Sequence, residues 1–193
     1  MAASILLVRH GPSAHLHTAG AIDRTGLQQW FAAYDTAGIA AATRPPTALL
    51  QKAAEATRIV ASDLPRAVTS AEQLAPNRPI VVSALLRETS LAIPHWPTRL
   101  PLGAWAVLIH LGWTYRMVRG PDPHESDRDR AATAAELLAG MVADGSTALV
   151  VTHGVFRRVL AQQLLRLGWT CTGRRGGYRH WSCWSFTRPG GNR

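Results

Sequence analysis

The chain has 193 residues, of which 47% are hydrophobic, 17% are charged and 7% are aromatic. This length and apolar content predict a single domain over residues 1–193 and exclude a collagen-like, coiled-coil or intrinsically disordered chain. The 21 basic residues outnumber the 12 acidic ones, which gives a net charge of +9. That excess indicates an anionic partner: a phosphorylated substrate, a nucleic acid or an anionic membrane surface.

Three negative features of the sequence bear on its compartment. Two cysteines are too few for a disulfide framework, which favours a reducing environment. The N-terminus shows neither a basic segment nor a cleavage site, so we expect no signal peptide. The longest uncharged run, residues 100–115, is shorter than the ~20 residues of a membrane span. We therefore expect a cytoplasmic protein.

The first half of the chain alternates short apolar runs with amphipathic segments. Residues 4–8, 58–62 and 79–83 are partly β-branched apolar runs, which predict buried strands. Residues 25–40 carry apolar side chains at helical spacing, and residues 65–75 begin with a proline suited to a first helical turn. Each of the first two predicted strands is followed by a loop and then a helical segment.

Residues 89–124 interrupt this alternation of strands and helices. They hold three of the seven tryptophans, Trp96, Trp105 and Trp113. We interpret the segment as a lid-like insertion with a short helix over residues 104–111. Its tryptophans either line a substrate pocket or form a small satellite core, and the sequence does not distinguish the two.

The alternation of strands and helices resumes after the insertion. The pattern predicts a helix over residues 125–141, a strand over 147–151, a helix over 155–167 and a last, edge strand over 178–186. Strands that alternate with helices favour an α/β sandwich with a largely parallel sheet.

Polar residues follow the predicted strands at four places. Arg9 and His10 end the first strand, Arg66 lies in the helical turn after the second, Glu88 follows the third, and His153 follows a later one. The carboxyl ends of parallel strands meet at one edge, where open α/β sheets bind ligands. These side chains are therefore expected to converge.

Such a set suits phosphoryl transfer. Arginine binds phosphate oxygens bidentately, and a neutral histidine can attack phosphorus. A carboxyl group can protonate the leaving oxygen and afterwards accept a proton from water. This scheme requires neither a metal nor another cofactor.

Four segments in order, LLVRHGPS, ASDLPRAVTSAEQL, LLRE and VVTHGVFRRVL, resemble the histidine phosphatase superfamily, the phosphoglycerate-mutase-like fold. The resemblance implies a three-layer α/β/α sandwich with a mostly parallel central sheet, and a phosphohistidine intermediate. It implies the following site residues: the nucleophile His10, the proton donor Glu88, a phosphate pocket of Arg9, Arg66 and His153, and further phosphate contacts at Ser13 and Gly154.

The sequence departs from many mutase-like members at two positions. Leu16 stands where they have asparagine, and Pro12 replaces the usual acidic residue after the RHG motif. Both departures, together with the short chain, disfavour a mutase. We expect a metal-independent phosphomonoesterase acting on a small phosphorylated metabolite. Three alternatives stay open: a phosphohistidine protein phosphatase, a phosphoglycerate-mutase-type phosphotransferase and a basic nucleic-acid-binding module without turnover.

Several other features favour simpler interpretations. His15 and His17 lack a recognisable third metal ligand, so we expect a solvated loop rather than a metal site. Asp63 or Leu64 is expected near the N-terminal cap of the helix that carries Arg66, and we interpret Asp63 as a capping residue rather than a catalytic one. The expected partner is a small phosphorylated substrate. We expect neither a membrane nor a nucleic-acid partner, and a homodimer is left open.

Overall fold

A computed structural model describes residues 2–16, 20–89, 93–95, 97–119 and 125–189, with the backbone alone for residues 113–119 and 125. Within this part of the chain, the main sheet has six strands: β1 (Ala3–Arg9), β3 (Arg58–Ser62), β4 (Ile80–Ser83), β6 (Thr147–Thr152), β7 (Thr170–Arg175) and β8 (Cys183–Arg188). They lie side by side in the order β4-β3-β6-β1-β8-β7.

Four neighbouring strands of this sheet are parallel. β1 and β3 both pair with β6, and β4 pairs with β3, all in parallel register. The apolar run of β1 is buried from Ile5 to Val8, as expected for a central strand covered on both faces. The prediction of a largely parallel sheet is confirmed.

Helices cover both faces of the sheet, which confirms the three-layer α/β/α sandwich. The helices are α1 (Arg24–Thr36), α2 (Thr47–Glu55), α3 (Pro65–Leu74), α4 (Leu102–Arg119), α5 (Glu125–Met141) and α6 (Phe156–Arg166). Helices α5 and α6 pack with β1 and β6 in the largest apolar cluster, while α2 and α3 pack with β3 on the opposite face. None of these described helices has the length and apolarity that a membrane crossing requires.

The prediction for the end of the chain was wrong. Residues 178–186 were expected to form an edge strand, but β8 begins at Cys183 and lies between β1 and β7. The edge strand is β7, which the sequence analysis did not predict. Its residues are largely exposed and polar, so they show no apolar alternation. Residues 176–182 instead form a turn, in which Gly176, Gly177 and Trp181 have positive φ.

The insertion contains more structure than its sequence predicted. α4 extends beyond the expected residues 104–111 at both ends, and a two-stranded ribbon of β2 (Ala21–Ile22) and β5 (Leu100–Pro101) precedes it. Trp105 on α4 packs with Leu27 of α1 in a separate apolar cluster. Trp96 and the side chain of Trp113 lie outside the described residues.

A buried arginine holds the turn before the last strand. Arg157 of α6 is fully buried and donates hydrogen bonds to the carbonyl oxygens of Ser182 at 2.8 Å and Gly177 at 2.9 Å. Its guanidinium also lies 4.1 Å from the ring centroid of Trp184 on β8. Burial lowers the pKa of Arg157 to about 10. The contacts connect α6 with both ends of the turn.

We predict that Arg157→Met lowers the free energy of unfolding by about 1–3 kcal/mol, because methionine fills the space but removes both hydrogen bonds to the turn and the contact with the Trp184 ring. Urea denaturation measures the change. Arg166→Met is the control, since Arg166 is exposed on the same helix, and it should change stability by less than about 0.5 kcal/mol. Equal effects of the two substitutions would contradict the anchoring role of Arg157.

Candidate active site

The parallel strands bring the two motif histidines together. β1 and β6 run side by side, with Arg9 paired in register to Thr152, so that His10 and His153 follow neighbouring strand ends. Their ring centroids are 5.1 Å apart, and both side chains are buried. The predicted convergence at the carboxyl edge of the sheet is present for these two residues.

His10 is held in one orientation and in its neutral form. Its Nδ1 lies 2.6 Å from the carbonyl oxygen of Gly11. A carbonyl oxygen only accepts hydrogen bonds, so Nδ1 carries the proton and Nε2 keeps its lone pair. Burial, together with the positive charges of Arg66 and Arg9, holds the pKa of His10 well below its usual range. The ring therefore has a nucleophilic nitrogen at neutral pH.

His153 is also neutral but has a different partner. Its Nε2 lies 2.8 Å from the hydroxyl oxygen of Ser62, which ends β3. Its Nδ1 is buried and has no hydrogen-bond partner among the described residues. Burial is the main cause of a pKa well below the usual range, followed by the proximity of His10. Ser62 was not among the predicted site residues.

Arg66 is fixed along one side of its guanidinium group. The side chain is buried, and its Nη1 donates to the carbonyl oxygen of Tyr34 at 2.9 Å and to Asp35 Oδ1 at 3.1 Å. The guanidinium carbon lies 4.3 Å from the Tyr34 ring centroid. Its Nε is buried, with no partner in the described part of the chain.

Of the two residues predicted near the cap of α3, Leu64 holds that position, whereas the capping role of Asp63 was wrong. The first helical residue of α3 follows Leu64, and no side chain caps that helix. Asp63 instead accepts hydrogen bonds from Arg87 at 2.6–3.0 Å, while Arg66 pairs with Asp35 of α1. Both partners come from distant segments, so local spacing could not identify them.

Arg9 borders the site from β1. Its Nη1 donates to the carbonyl oxygen of Tyr178, and its Nε is buried without a partner among the residues described. A Cβ atom at residue 154 would lie 3.3 Å from the guanidinium carbon of Arg9. Gly154 therefore allows Arg9 to lie close to the backbone at the start of α6.

Gly11 permits a similar close approach. A Cβ atom at this position would lie 2.3 Å from the ring of Trp181, which has a φ of 61°. The amide N–H of Gly11 donates a hydrogen bond to the hydroxyl oxygen of Ser70 at 2.9 Å. The glycine of the RHG motif thus lets the C-terminal turn lie against the residue that follows His10.

Glu88 lies at the N-terminus of α6. Its carboxylate accepts hydrogen bonds from the amide N–H groups of Phe156 at 2.7 Å, Val155 at 3.3 Å and Thr89 at 3.0 Å. Arg130 of α5 donates to the carbonyl oxygens of residues 85, 87 and 88 and so holds this segment against the core. Glu88 shares one cavity with Arg9 and another with Arg66.

The loop after His10 contains the remaining predicted residues. The hydroxyl oxygen of Ser13 accepts a hydrogen bond from the amide N–H of His15 at 3.1 Å. The His15 ring lies 5.4 Å from that of Trp30, whereas His17 lies outside the described residues. Within the described ranges, no group of three or more metal-ligating side chains occurs.

His180 is the site residue that sequence reasoning missed. Its ring centroid lies 5.5 Å from that of His10, and its Nε2 is buried without a partner in the part of the chain that is described. Burial and the charge of Arg9 lower the pKa of His180 to about 4. The available signal was topological: β8 runs antiparallel to β1, with Cys183 paired to Val8, so the residues before Cys183 lie where β1 ends.

Within the part of the chain that the structure describes, four side chains near His10 carry a buried nitrogen without a hydrogen-bond partner. They belong to Arg9, Arg66, His153 and His180. The arginine nitrogens are donors, and buried donors without partners are rare and carry a desolvation penalty. An oxyanion with several acceptor oxygens would satisfy them, so this region is a candidate anion site.

A sequence profile described as the histidine phosphatase superfamily (branch 1) matches residues 5–182. The chain belongs to this superfamily. The match covers the RHG motif, the other predicted motifs and the C-terminal turn that carries His180. A comparison with curated protein sequences gives no significant match.

Three solved structures of phosphatases and a hydrolase have a similar fold. A mycobacterial glucosyl-3-phosphoglycerate phosphatase in complex with VO3 is 26% identical, with a TM-score of 0.54 over 85% of this chain and 82% of that one. A mycobacterial hydrolase is 23% identical, with a TM-score of 0.56 over 86% and 73%. A phosphoserine phosphatase mutant from Entamoeba histolytica is 14% identical, with a TM-score of 0.54 over 85% and 80%.

We predict that this histidine phosphatase loses stability as the pH falls below 6.5. A histidine whose pKa is lowered in the folded state binds its proton more readily when the chain unfolds, so protonation favours unfolding. For His180 the loss should develop between pH 6.5 and about 4. His180→Gln should therefore reduce the pH dependence in that interval, as measured by urea denaturation at a series of pH values.

His95→Gln is the matched control, because His95 is exposed. This variant should follow the pH profile of the wild type. A His180→Gln profile that coincides with the wild-type profile would show that folding does not lower the pKa of His180.

Proposed function

We propose that the protein is a metal-independent phosphomonoesterase that transfers the phosphoryl group of a small phosphorylated substrate first to His10 and then to water. The observation that carries this proposal is the state of His10. It is a buried, neutral imidazole whose Nδ1 donates a hydrogen bond to the Gly11 carbonyl oxygen, and it lies among arginine and histidine nitrogens that have no partner among the described residues.

In the first step, Nε2 of His10 attacks phosphorus and the bond from phosphorus to the ester oxygen breaks. The proton stays on Nδ1, which donates it in a hydrogen bond to the Gly11 carbonyl oxygen, and this bond supports the positive charge that develops on the ring. Arg9 and Arg66 bind the phosphoryl oxygens and offset the charge of the transition state. His153 contributes an N–H donor if its free Nδ1 is protonated, and Ser13 and Gly154 complete the proposed phosphate contacts.

Glu88 is proposed to donate a proton to the leaving oxygen. The same carboxylate then accepts a proton from water, whose oxygen attacks phosphorus while the bond to His10 Nε2 breaks. The products are an alcohol and inorganic phosphate, and His10 regains its lone pair. The three amide donors around Glu88 support this role by fixing the position of its carboxyl group.

We predict that His10→Ala lowers turnover by on the order of 10³-fold or more, because no other side chain replaces the nucleophile. Rapid quenching of the wild type with labelled substrate should trap phosphate on His10. The bond should be labile in acid and stable in base, as a phosphorus–nitrogen bond is.

The exposed His95 again provides the control, since His95→Ala should keep both turnover and the trapped phosphate. Turnover should also survive a chelator. Loss of activity in EDTA that a divalent cation restores would contradict the metal-independent scheme, and phosphate trapped on another residue would exclude His10 as the nucleophile.

We predict that the defect of Glu88→Gln depends on the leaving group. Protonation matters most when the leaving oxygen is strongly basic, so an alkyl phosphate should lose on the order of 10²–10⁴ in rate. An activated aryl phosphate should lose much less. Single-turnover measurement of His10 phosphorylation is required, because Glu88 also takes part in the second step and steady-state rates would combine the two.

A different pattern would assign Glu88 a purely structural role at the start of α6. In that case Glu88→Gln would lower the unfolding free energy, and the single-turnover defect would be equal for alkyl and aryl phosphates. Glu125 would then be the next candidate for the acid.

A further inference from the structure

A cavity of about 430 Å³ adjoins the proposed phosphate site, between α1 and α4. Arg9, Glu88 and Gly154 line it on the side of the site, so a group bonded to the leaving oxygen near Glu88 would extend into it. We propose that this cavity binds an apolar alcohol or phenol portion of the substrate, which makes hydrophobic phosphomonoesters the preferred substrates. This inference rests on the proposed phosphatase function.

The walls of the cavity are mainly apolar. α1 contributes Leu27 and Phe31, while α4 contributes Leu102, Trp105, Ala106 and Ile109. Sugar hydroxyl or carboxylate groups in such surroundings would lose hydrogen bonds to water without replacement, whereas apolar groups gain by leaving water. The volume lies in the lower part of the range of roughly 300–1,000 Å³ that is usual for small-molecule sites.

The apolar wall is already formed and fixed. Leu27, Trp105 and Ile109 are buried together in one cluster. Trp105 donates its indole N–H to the carbonyl oxygen of Ile22 at 2.8 Å. Because that hydrogen bond uses the only polar group of the side chain, Trp105 offers the cavity an apolar ring.

Aromatic rings connect this wall with the phosphate site. Trp30 and Tyr34, which both line the cavity, are stacked with ring centroids 5.1 Å apart and an interplanar angle of 16°. The Tyr34 ring also contacts the guanidinium group of Arg66. An apolar group in the cavity would thus contact the same aromatic residue that supports a proposed phosphate ligand.

Polar side chains also line the cavity. They include His110 of α4 and Arg158 of α6, and Arg158 lies 5.0 Å from the ring centroid of Tyr178. Most of the lining that α1 and α4 contribute is nevertheless apolar. The proposed occupant therefore has an apolar body next to the ester oxygen.

A second cavity, of about 370 Å³, also contacts Glu88 but has a different character. Its walls include Asp35, Arg66 and Arg87, which form ion pairs within the protein. An apolar group placed there would remove water from these charges, which is unfavourable. We therefore assign the apolar part of the substrate to the first cavity.

The test uses ethyl, butyl and hexyl phosphate, whose leaving oxygens have nearly the same basicity. Each methylene that the cavity buries should raise kcat/KM about fourfold, equivalent to ~0.8 kcal/mol. Glycerol phosphate, which carries hydroxyl groups in place of the apolar chain, should react no faster than ethyl phosphate. Calorimetric titration with the corresponding alkylphosphonates, which cannot be hydrolysed, should show the same order of affinity.

Three matched substitutions locate the effect. Ala106→Asp places a charge in the first cavity and should reduce the gain per methylene to less than twofold. Val107→Asp, at the next position of α4 but 57% exposed and outside the lining, should keep the wild-type gain. Leu64→Asp places a charge in the second cavity and should also keep it. Thermal unfolding verifies that each variant is folded.

The outcomes separate the two proposals. Phosphate release from every ester with no gain per methylene, or faster reaction of glycerol phosphate than of butyl phosphate, overturns the inference and leaves the phosphatase function intact. If Leu64→Asp abolishes the gain in kcat/KM per methylene while Ala106→Asp keeps it, the assignment to the first cavity is overturned. If no ester is hydrolysed, the phosphatase proposal fails, and equal affinities for all alkylphosphonates would then also exclude the apolar site.

Discussion

Burial and a concentration of positive charge at the carboxyl edge of the sheet together determine how the site can work. His10 and His153 are buried beside Arg66 and near Arg9, so a proton on either ring would add a charge where water cannot stabilise it. Both rings therefore stay neutral. The arginines, which cannot lose their charge, are oriented by Asp35 and by the Tyr178 carbonyl oxygen. The result is a neutral imidazole at His10 beside arginine donors suited to an anion.

The sequence predicted the part of the site that depends on parallel strands. His10, Arg66 and His153 each follow a strand of a sheet whose parallel arrangement the apolar pattern indicated. His180 lies in an irregular turn, where φ is positive at Trp181 and no periodicity exists to place a side chain. Its position depends on the pairing of β8 with β1, and the sequence analysis assigned this turn to a strand.

The partners of charged side chains were least predictable. Asp63 and Arg66 are three residues apart, yet one binds Arg87 and the other binds Asp35. Neighbouring residues can face different elements as soon as a loop joins a strand to a helix, so sequence distance is a poor guide to ion pairs. The buried partners of Trp105 were similarly unpredictable, because they come from α1 and from the ribbon before α4.

The contact between His10 and His180 has a consequence for the order in which the site forms during synthesis. A ribosome completes residue 10 long before residue 180, and the ring that lies against His10 belongs to a turn held by Arg157 and followed by β8. The nascent chain therefore lacks the complete pocket around His10 until β8 has been translated and has paired with β1. A chain without that pairing would expose an incomplete candidate site.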